Sequence, residues 1–118
     1  MIITVLAALT AVEFFYIFYL ETIATASEKT AATFGMTVTA LQEPGLNVAM
    51  KNQGVYNLGI GLIIIAMLVL GAPLRWLGAV MAFIILVAAY GSVTVDRSIL
   101  LKQGGLAILT LAGILFWG

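Results

Sequence analysis

Four long apolar stretches occupy most of the 118-residue chain and constrain its fold more than any other feature. They run over about residues 2–24, 48–70, 74–95 and 99–117. A helix needs about 20 residues to cross about 30 Å of hydrocarbon, and each stretch reaches or nearly reaches that length. The sequence therefore predicts an all-α integral membrane protein, with an up-down four-helix bundle forming a single transmembrane domain over residues 1–118.

The composition leaves too few polar residues for a water-exposed surface. Only 8% of the residues are charged, 64% are hydrophobic, and the mean hydropathy is +1.21. A soluble protein has about a quarter charged residues, so most of this surface must face a lipid bilayer. The five basic and five acidic residues cancel, which argues against nucleic acid as a partner. The chain has no Cys and no His, which excludes disulfides, thiolate or imidazole metal sites and Ser-His-Asp triads, and no cofactor is expected.

The connection between the first two stretches, residues 25–47, is predicted to be an amphipathic loop. Ser27 is placed to cap a short helix that Gly35 ends. Pro44-Gly45 is expected to form a turn, after which Asn47 caps the second span. Four apolar residues suggest that this loop lies at the membrane interface, namely Phe34, Met36, Val38 and Leu41.

The distribution of Lys and Arg predicts the orientation of the chain. The first and third connections carry Lys29, Lys51, Arg97 and Lys102, whereas the opposite side carries Arg75 and the amino terminus. Short loops rich in Lys and Arg stay in the cytoplasm, so we expect both termini outside. No basic residue precedes Lys29, so the first stretch is expected to be a permanent helix rather than a signal peptide.

Glu13 lies near the middle of the first span, which is the most informative position in the sequence. A carboxylate at that depth costs on the order of 2.5–3.5 kcal/mol, so it is normally protonated, paired or turned towards a polar interior. We expect it to face the protein interior or a dimer axis and to alternate between protonated and cation-paired states. Tyr16 lies one turn along on the same face, and Glu21 lies closer to the membrane surface. The alternative is a hydrogen bond that only holds helices together.

The second span opens with an unusual density of amide side chains. Gln53 and Asn57 are four residues apart and share a helix face, so we expect both to point into the bundle and to share a polar space with Glu13 or with the third span. Asn52 and Tyr56 form a second pair with the same spacing. A ligand site and simple hydrogen bonding between helices are both open interpretations.

The third span ends in a polar segment. Tyr90, Thr94 and Arg97 fall on one stripe of the helix, and Tyr90 is expected near the amides of the second span. Asp96 and Arg97 are adjacent, so they point to different faces and are poor partners for each other. We assign them as supporting charges, with a lipid phosphate as the alternative partner of Arg97.

Two motifs carry a resemblance to a known family, Glu13-x-x-Tyr16-x-x-Tyr19-Leu20-Glu21 and Asn52-Gln53-Gly54-x-Tyr56-Asn57, followed by Tyr90-Gly91 before a charged turn. The chain resembles, over nearly its whole length, a family of small bacterial membrane proteins catalogued as a domain of unknown function. The resemblance implies four helices and a bacterial plasma membrane, and it names no activity. A second likeness is positional, because small multidrug-resistance transporters also have about this length, four helices and one Glu in the middle of the first helix. The chain lacks their other signature residues.

Three classes of function remain open from the sequence. The leading one is a transporter or small-ligand-binding protein, proton-coupled through Glu13 and dimeric, whose ligand the sequence does not identify. Small residues at Ala7, Ala11, Gly78 and Ala82 offer faces for helix contact within or between subunits. A membrane enzyme acting on a lipid or isoprenoid is less favoured, because no nucleophile, metal set or phosphate-binding motif is visible. The third class is a structural or assembly partner of another membrane protein.

Overall fold

A computed structural model describes residues 1–95 and 97–118, and within those ranges every regular element is helical. The elements in chain order are α1 (Ile2–Phe18), a π-helix (Tyr19–Ile23), α2 (Glu28–Phe34), α3 (Val38–Gln42), α4 (Pro44–Leu70), α5 (Leu74–Thr94) and α6 (Ile99–Trp117). The predicted all-α fold class is confirmed.

Four of the helical segments are long and apolar enough to cross a membrane. They are Ile2–Ile23, which joins α1 to the π-helix, and then α4, α5 and α6. Three of them match the predicted spans within one residue at each end. The prediction of a membrane protein is thereby supported, whereas the up-down bundle and the single domain stay predictions.

The start of α4 differs from the sequence prediction, since Pro44 begins the helix instead of forming a turn before it. Proline suits the first helical position because it has no N–H to satisfy there. The exposed N–H groups that follow are capped by Glu43, whose Oε1 accepts from Gly45 N (2.9 Å) and whose Oε2 accepts from Leu46 N (2.8 Å). The predicted cap, Asn47, lies inside the helix, and its Nδ2 donates to the carbonyl of Leu41 (2.9 Å).

The Glu43 cap makes the first turn of α4 sensitive to pH. The N–H groups of Gly45 and Leu46 hold the pKa of this exposed carboxyl below its usual range. The stabilisation is therefore present above the unfolded-state pKa and is lost as the pH falls through the folded-state pKa. We expect the amide proton shifts of Gly45 and Leu46 to titrate with a midpoint below that of an unstructured glutamate, as measured by NMR. The Glu43→Gln variant should show no such titration, and an unchanged midpoint in the wild-type chain would contradict the cap.

The chain forms two compact units, of which one comprises residues 12–61. In this unit Ser27 caps α2 by accepting from Thr30 N (3.1 Å), and Gly35 ends the helix with a φ of 65°, as predicted. The apolar residues of the connection pack on one another and on α4. Ala31, Leu41 and Met50 of α4 are buried, and the residues packed against them are Ala26, Phe34, Met36, Val38 and Leu46. Leu41 is fully buried inside this small core, and the position of the connection at the membrane interface stays a prediction.

The other unit comprises residues 1–11 and 62–118, where α5 packs closely on α6. A methyl group placed on Gly104 would lie 3.2 Å from Ala88 Cβ, so the two helices approach closely there. Gly78 is also buried, with Leu111 and Ile114 of α6 as its nearest neighbours. Ala7 and Ala11 are fully buried as well, whereas Ala82 is exposed.

Candidate functional site

The first span ends in a π-helix over Tyr19–Ile23. Ala24 N–H donates to the carbonyl of Tyr19 (2.9 Å), five residues back, instead of to the carbonyl of Leu20 four residues back. This leaves the Leu20 carbonyl without the donor that an α-helix would supply. Segments of this type are rare and are frequently found at functional sites.

Two threonine hydroxyls bond the carbonyls in and beside the π-helix. Thr30 Oγ1 donates to the carbonyl oxygens of Leu20 (3.0 Å) and Ala24 (2.8 Å), which share its single hydrogen. Thr25 Oγ1 donates to the carbonyl oxygen of Glu21 (2.7 Å). Buried backbone groups need such partners, so these side chains support the irregular backbone.

Glu21 lies in the middle of the π-helix with its side chain turned into the protein. The residue is 4% exposed, and its Oε1 accepts a hydrogen bond of 2.5 Å from Nδ2 of Asn57 on α4, which is 9% exposed. The position of Glu21 in the sequence predicts a location nearer the membrane surface, and no pattern in the sequence pairs it with Asn57. Phe14, Ile17 and Glu21 follow the three-and-four spacing of a buried helix face, and that spacing was the missed signal.

Gly54 allows α4 to approach the π-helix. A methyl group built on Gly54 would lie 2.0 Å from Thr22 Oγ1 and 3.1 Å from the Cβ atoms of Glu21 and Thr22. At the same contact Thr22 Oγ1 donates to the carbonyl of Lys51 (2.9 Å). No other residue type leaves room for this contact, which brings Asn57 within reach of Glu21.

Glu13 differs from Glu21 in its hydrogen bonding. It is half-buried, and its Oε1 atom is fully buried with no hydrogen-bond partner among the residues that the structure describes. Buried side-chain oxygens nearly always have a partner, so this atom needs an explanation.

Four other predicted residues of the same unit lie on exposed surface: Tyr16, Asn52, Gln53 and Tyr56. The expectation that Gln53 points inward together with Asn57 is therefore not met. The buried positions of α4 run through Met50, Gly54, Asn57, Gly61 and Ile64. Gln53 lies one residue off that stripe, which turns it by about 100° from Gly54.

The predicted residues of the third span belong to the other unit. Tyr90 is 72% exposed, and the hydroxyl of Thr94 donates to its carbonyl (2.8 Å). Arg97 is exposed and lines, with Ser92, a surface depression of about 600 Å³. Asp96 lies outside the described residues. The predicted contact of Tyr90 with the amides of α4 stays a prediction.

A polar contact that the sequence does not predict joins α1 to α6. Thr10 and Thr110 are both fully buried, and their hydroxyl oxygens lie 3.4 Å apart. Each hydroxyl also donates to a carbonyl one turn back in its own helix, Leu6 (2.8 Å) and Leu106 (2.7 Å). Because its hydroxyl can bond to a carbonyl of its own helix, threonine is common in transmembrane helices. A threonine in a span therefore does not by itself indicate a contact between helices.

The described residues offer no obvious metal site, because none of them form a group of three or more His, Cys, Asp or Glu side chains. The polar groups near Glu21 are instead one carboxyl, one amide and several hydroxyls. Such groups bind organic donors and acceptors through hydrogen bonds and bind cations through the carboxyl.

Comparison with known proteins identifies the family. The profile of a family described as "Protein of unknown function (DUF1304)" matches residues 8–115. The chain belongs to the DUF1304 family. The "Uncharacterized protein YpaA" of Lactococcus lactis subsp. lactis (strain IL1403) is 46% identical over 114 residues, which cover 95% of each chain. No solved structure matches the chain.

The two motifs that carried the sequence resemblance meet in this DUF1304 protein. Tyr19-Leu20-Glu21 opens the π-helix, and the second motif supplies Gly54 and Asn57. The expected membership in a family of unknown function is confirmed. The positional analogy to small multidrug-resistance transporters stays a prediction.

Proposed function

We propose that this DUF1304 protein binds a small organic cation at Glu13 and exchanges it for a proton across the bilayer. The proposal includes a homodimer in the plasma membrane. Both termini lie outside in this proposal, because the Lys and Arg distribution favours that orientation. It gives the protein a transport activity rather than a chemical reaction on a lipid.

The buried Oε1 atom of Glu13 carries this proposal. A buried polar atom without a partner costs about 1–3 kcal/mol, and acidic residues inside membrane spans are functional by default. A proton or the cationic group of a ligand would supply the missing partner. Because both would occupy the same carboxyl group, the binding of one would release the other.

The contrast between the two carboxyl groups of the first span supports the assignment. Glu21 already accepts a hydrogen bond from Asn57, so it has a structural partner within the chain. The Oε1 atom of Glu13 has no such partner among the described residues. The competing candidate is an assembly role in which all polar side chains only hold helices together, and the Glu21–Asn57 hydrogen bond is the observation that favours it.

A ligand screen tests the proposal. A compound that binds only the native state at about 100 times its Kd stabilises the protein by about 2.7 kcal/mol. We expect organic cations from an amine and quaternary ammonium library to raise the melting temperature of the wild-type protein. The stabilisation should weaken as the pH falls, since protons compete with the cation for Glu13. The Glu13→Gln variant should fold normally and show no stabilisation by the same compounds.

Chemical labelling provides an independent measurement. Dicyclohexylcarbodiimide adds to a protonated carboxyl group in apolar surroundings, and the adduct rearranges to a stable N-acylurea that mass spectrometry detects. We expect labelling at Glu13 and protection by any cation found in the screen. The Glu21→Gln variant is the matched control, and its Glu13 should still be labelled and protected. Cations that stabilise Glu13→Gln as well as the wild-type protein would refute the proposal and leave the assembly role.

A further inference from the structure

Thr30 occupies an unusual position between the connection and the membrane span. It is fully buried beside the buried Ala31, on one face of the short helix α2, whose Lys29 and Ala32 are exposed. Its Oγ1 accepts from Ser27 Oγ (3.0 Å) and donates to the carbonyls of Leu20 and Ala24. The hydroxyl thereby joins the N-terminus of α2 to the irregular end of the first span.

The hydroxyl of Thr30 replaces a backbone hydrogen bond. In an α-helix the carbonyl of Leu20 would accept from Ala24 N–H, but in the π-helix that N–H donates to Tyr19. Thr30 Oγ1 is the donor that the structure supplies to the Leu20 carbonyl instead. Without it, a return of the segment to α-helical register would give this carbonyl the Ala24 N–H as its partner.

The register of this segment determines where Glu21 points. One residue more or less in a helical turn rotates the following side chains by up to about 100° around the axis. The hydrogen bond between Glu21 and Asn57 requires the side chain to keep its present direction. The same is true of the close contact between Gly54 and Thr22.

We propose that Thr30 is a positioning residue that latches the π-helix and so holds Glu21 against Asn57. The docking of α2 on the end of the first span is then what sets the direction of a carboxyl group inside the span. A change in the connection that withdraws Thr30 releases that carboxyl group. This inference goes beyond the proposed function, because it concerns Glu21 and requires neither a ligand nor Glu13.

The experiment reads the Glu21–Asn57 contact directly. The chain has three Asn and four Glu residues, so labelling Asn with ¹⁵N and Glu with ¹³C gives few through-space correlations in solid-state NMR of the full chain in bilayers. The relevant correlation joins Asn57 Nδ2 to Glu21 Cδ, and it is assigned by its loss in Glu21→Gln. We expect Thr30→Val, which has the same shape without the hydroxyl, to abolish this correlation. Thr30→Ser, which restores a hydroxyl, should recover it.

Thr33→Val is the matched control. Thr33 lies one turn further along α2, and its hydroxyl donates to the carbonyl of Lys29 (2.7 Å) within the same helix. The same substitution there removes a hydroxyl from α2 without touching the π-helix, so the correlation should persist. Retention of the correlation in a folded Thr30→Val protein would overturn the latch.

A second substitution covers the case in which Thr30→Val does not fold. A thiol is a much weaker hydrogen-bond donor than a hydroxyl, so Thr30→Cys should show a weaker correlation than Thr30→Ser. Equal intensities in these two variants would overturn the proposal. The result does not depend on cation binding, so failure of the Glu13 proposal and failure of the latch are distinguishable.

Discussion

Replacing Gly54 with alanine is expected to destabilise the protein by about 1–3 kcal/mol, the usual cost of overpacking a tight interior. The added methyl group would lie 2.0 Å from Thr22 Oγ1. Rotation of the Thr22 side chain could relieve that clash, but it would break the hydrogen bond to the Lys51 carbonyl. The Cβ atoms of Glu21 and Thr22 each lie 3.1 Å from the added methyl group, and their positions are fixed by the backbone of the π-helix. Relief of these contacts therefore requires α4 and the π-helix to separate.

Gly59 provides the matched control for this substitution on the same helix. A methyl group there meets no atom within 4 Å. Gly59→Ala should therefore stabilise the protein by roughly 0.5–1 kcal/mol, through the higher helix propensity of alanine. Reversible unfolding in mixed micelles measures both changes. Equal effects at the two positions would show that the contact at Gly54 is looser than the structure indicates.

The second large effect is expected at Asn57. Asn57→Leu leaves the buried carboxyl of Glu21 without its donor, which should cost about 1–3 kcal/mol of unfolding free energy. Glu21→Gln should cost less, because its amide oxygen still accepts from Asn57. The double variant Glu21→Met with Asn57→Leu should recover most of the loss, since replacing both partners of a buried hydrogen bond by apolar groups can be nearly neutral.

A double-mutant cycle separates this coupling from effects on packing. Two residues in direct contact should show an interaction energy of about 0.5–3 kcal/mol. Gln53→Leu serves as the control, because this exposed amide lies one turn earlier on α4 and should change stability by less than about 0.5 kcal/mol. Additive losses in the cycle would contradict a direct bond between Glu21 and Asn57.

The sequence predicted the membrane class and three of the four spans, because apolar length is a strong and local signal. It failed at Pro44, since a proline-glycine pair is typical of a turn and the glutamate before it is an uncommon helix cap. It also failed to predict the π-helix. That segment depends on hydrogen bonds from Thr30, a residue outside the span that periodicity alone does not connect to it.

The candidate site was partly predicted, and the limits have a physical origin. The sequence indicates Glu13 and Asn57 as site residues because polar groups inside a span are costly. The four-residue spacing predicts that Gln53 shares a helix face with Asn57. A residue four positions away can nevertheless lie at the edge of that face rather than at its centre. The sequence does not predict the burial of Glu21, because a position near the end of the span is typical of an interfacial residue. In the structure, packing against Gly54 buries it.

The helix α4 is longer than a span perpendicular to the membrane requires. Its 27 residues measure about 40 Å, about 10 Å more than the hydrocarbon thickness. Only residues 71–73 separate its end from α5, so the excess of roughly seven residues falls at its start, up to Met50. In a span perpendicular to the membrane, these first two turns extend beyond the hydrocarbon. Ala31 and Leu41 of the connection pack on Met50 in these first turns, so a helix of the same chain supports the connection.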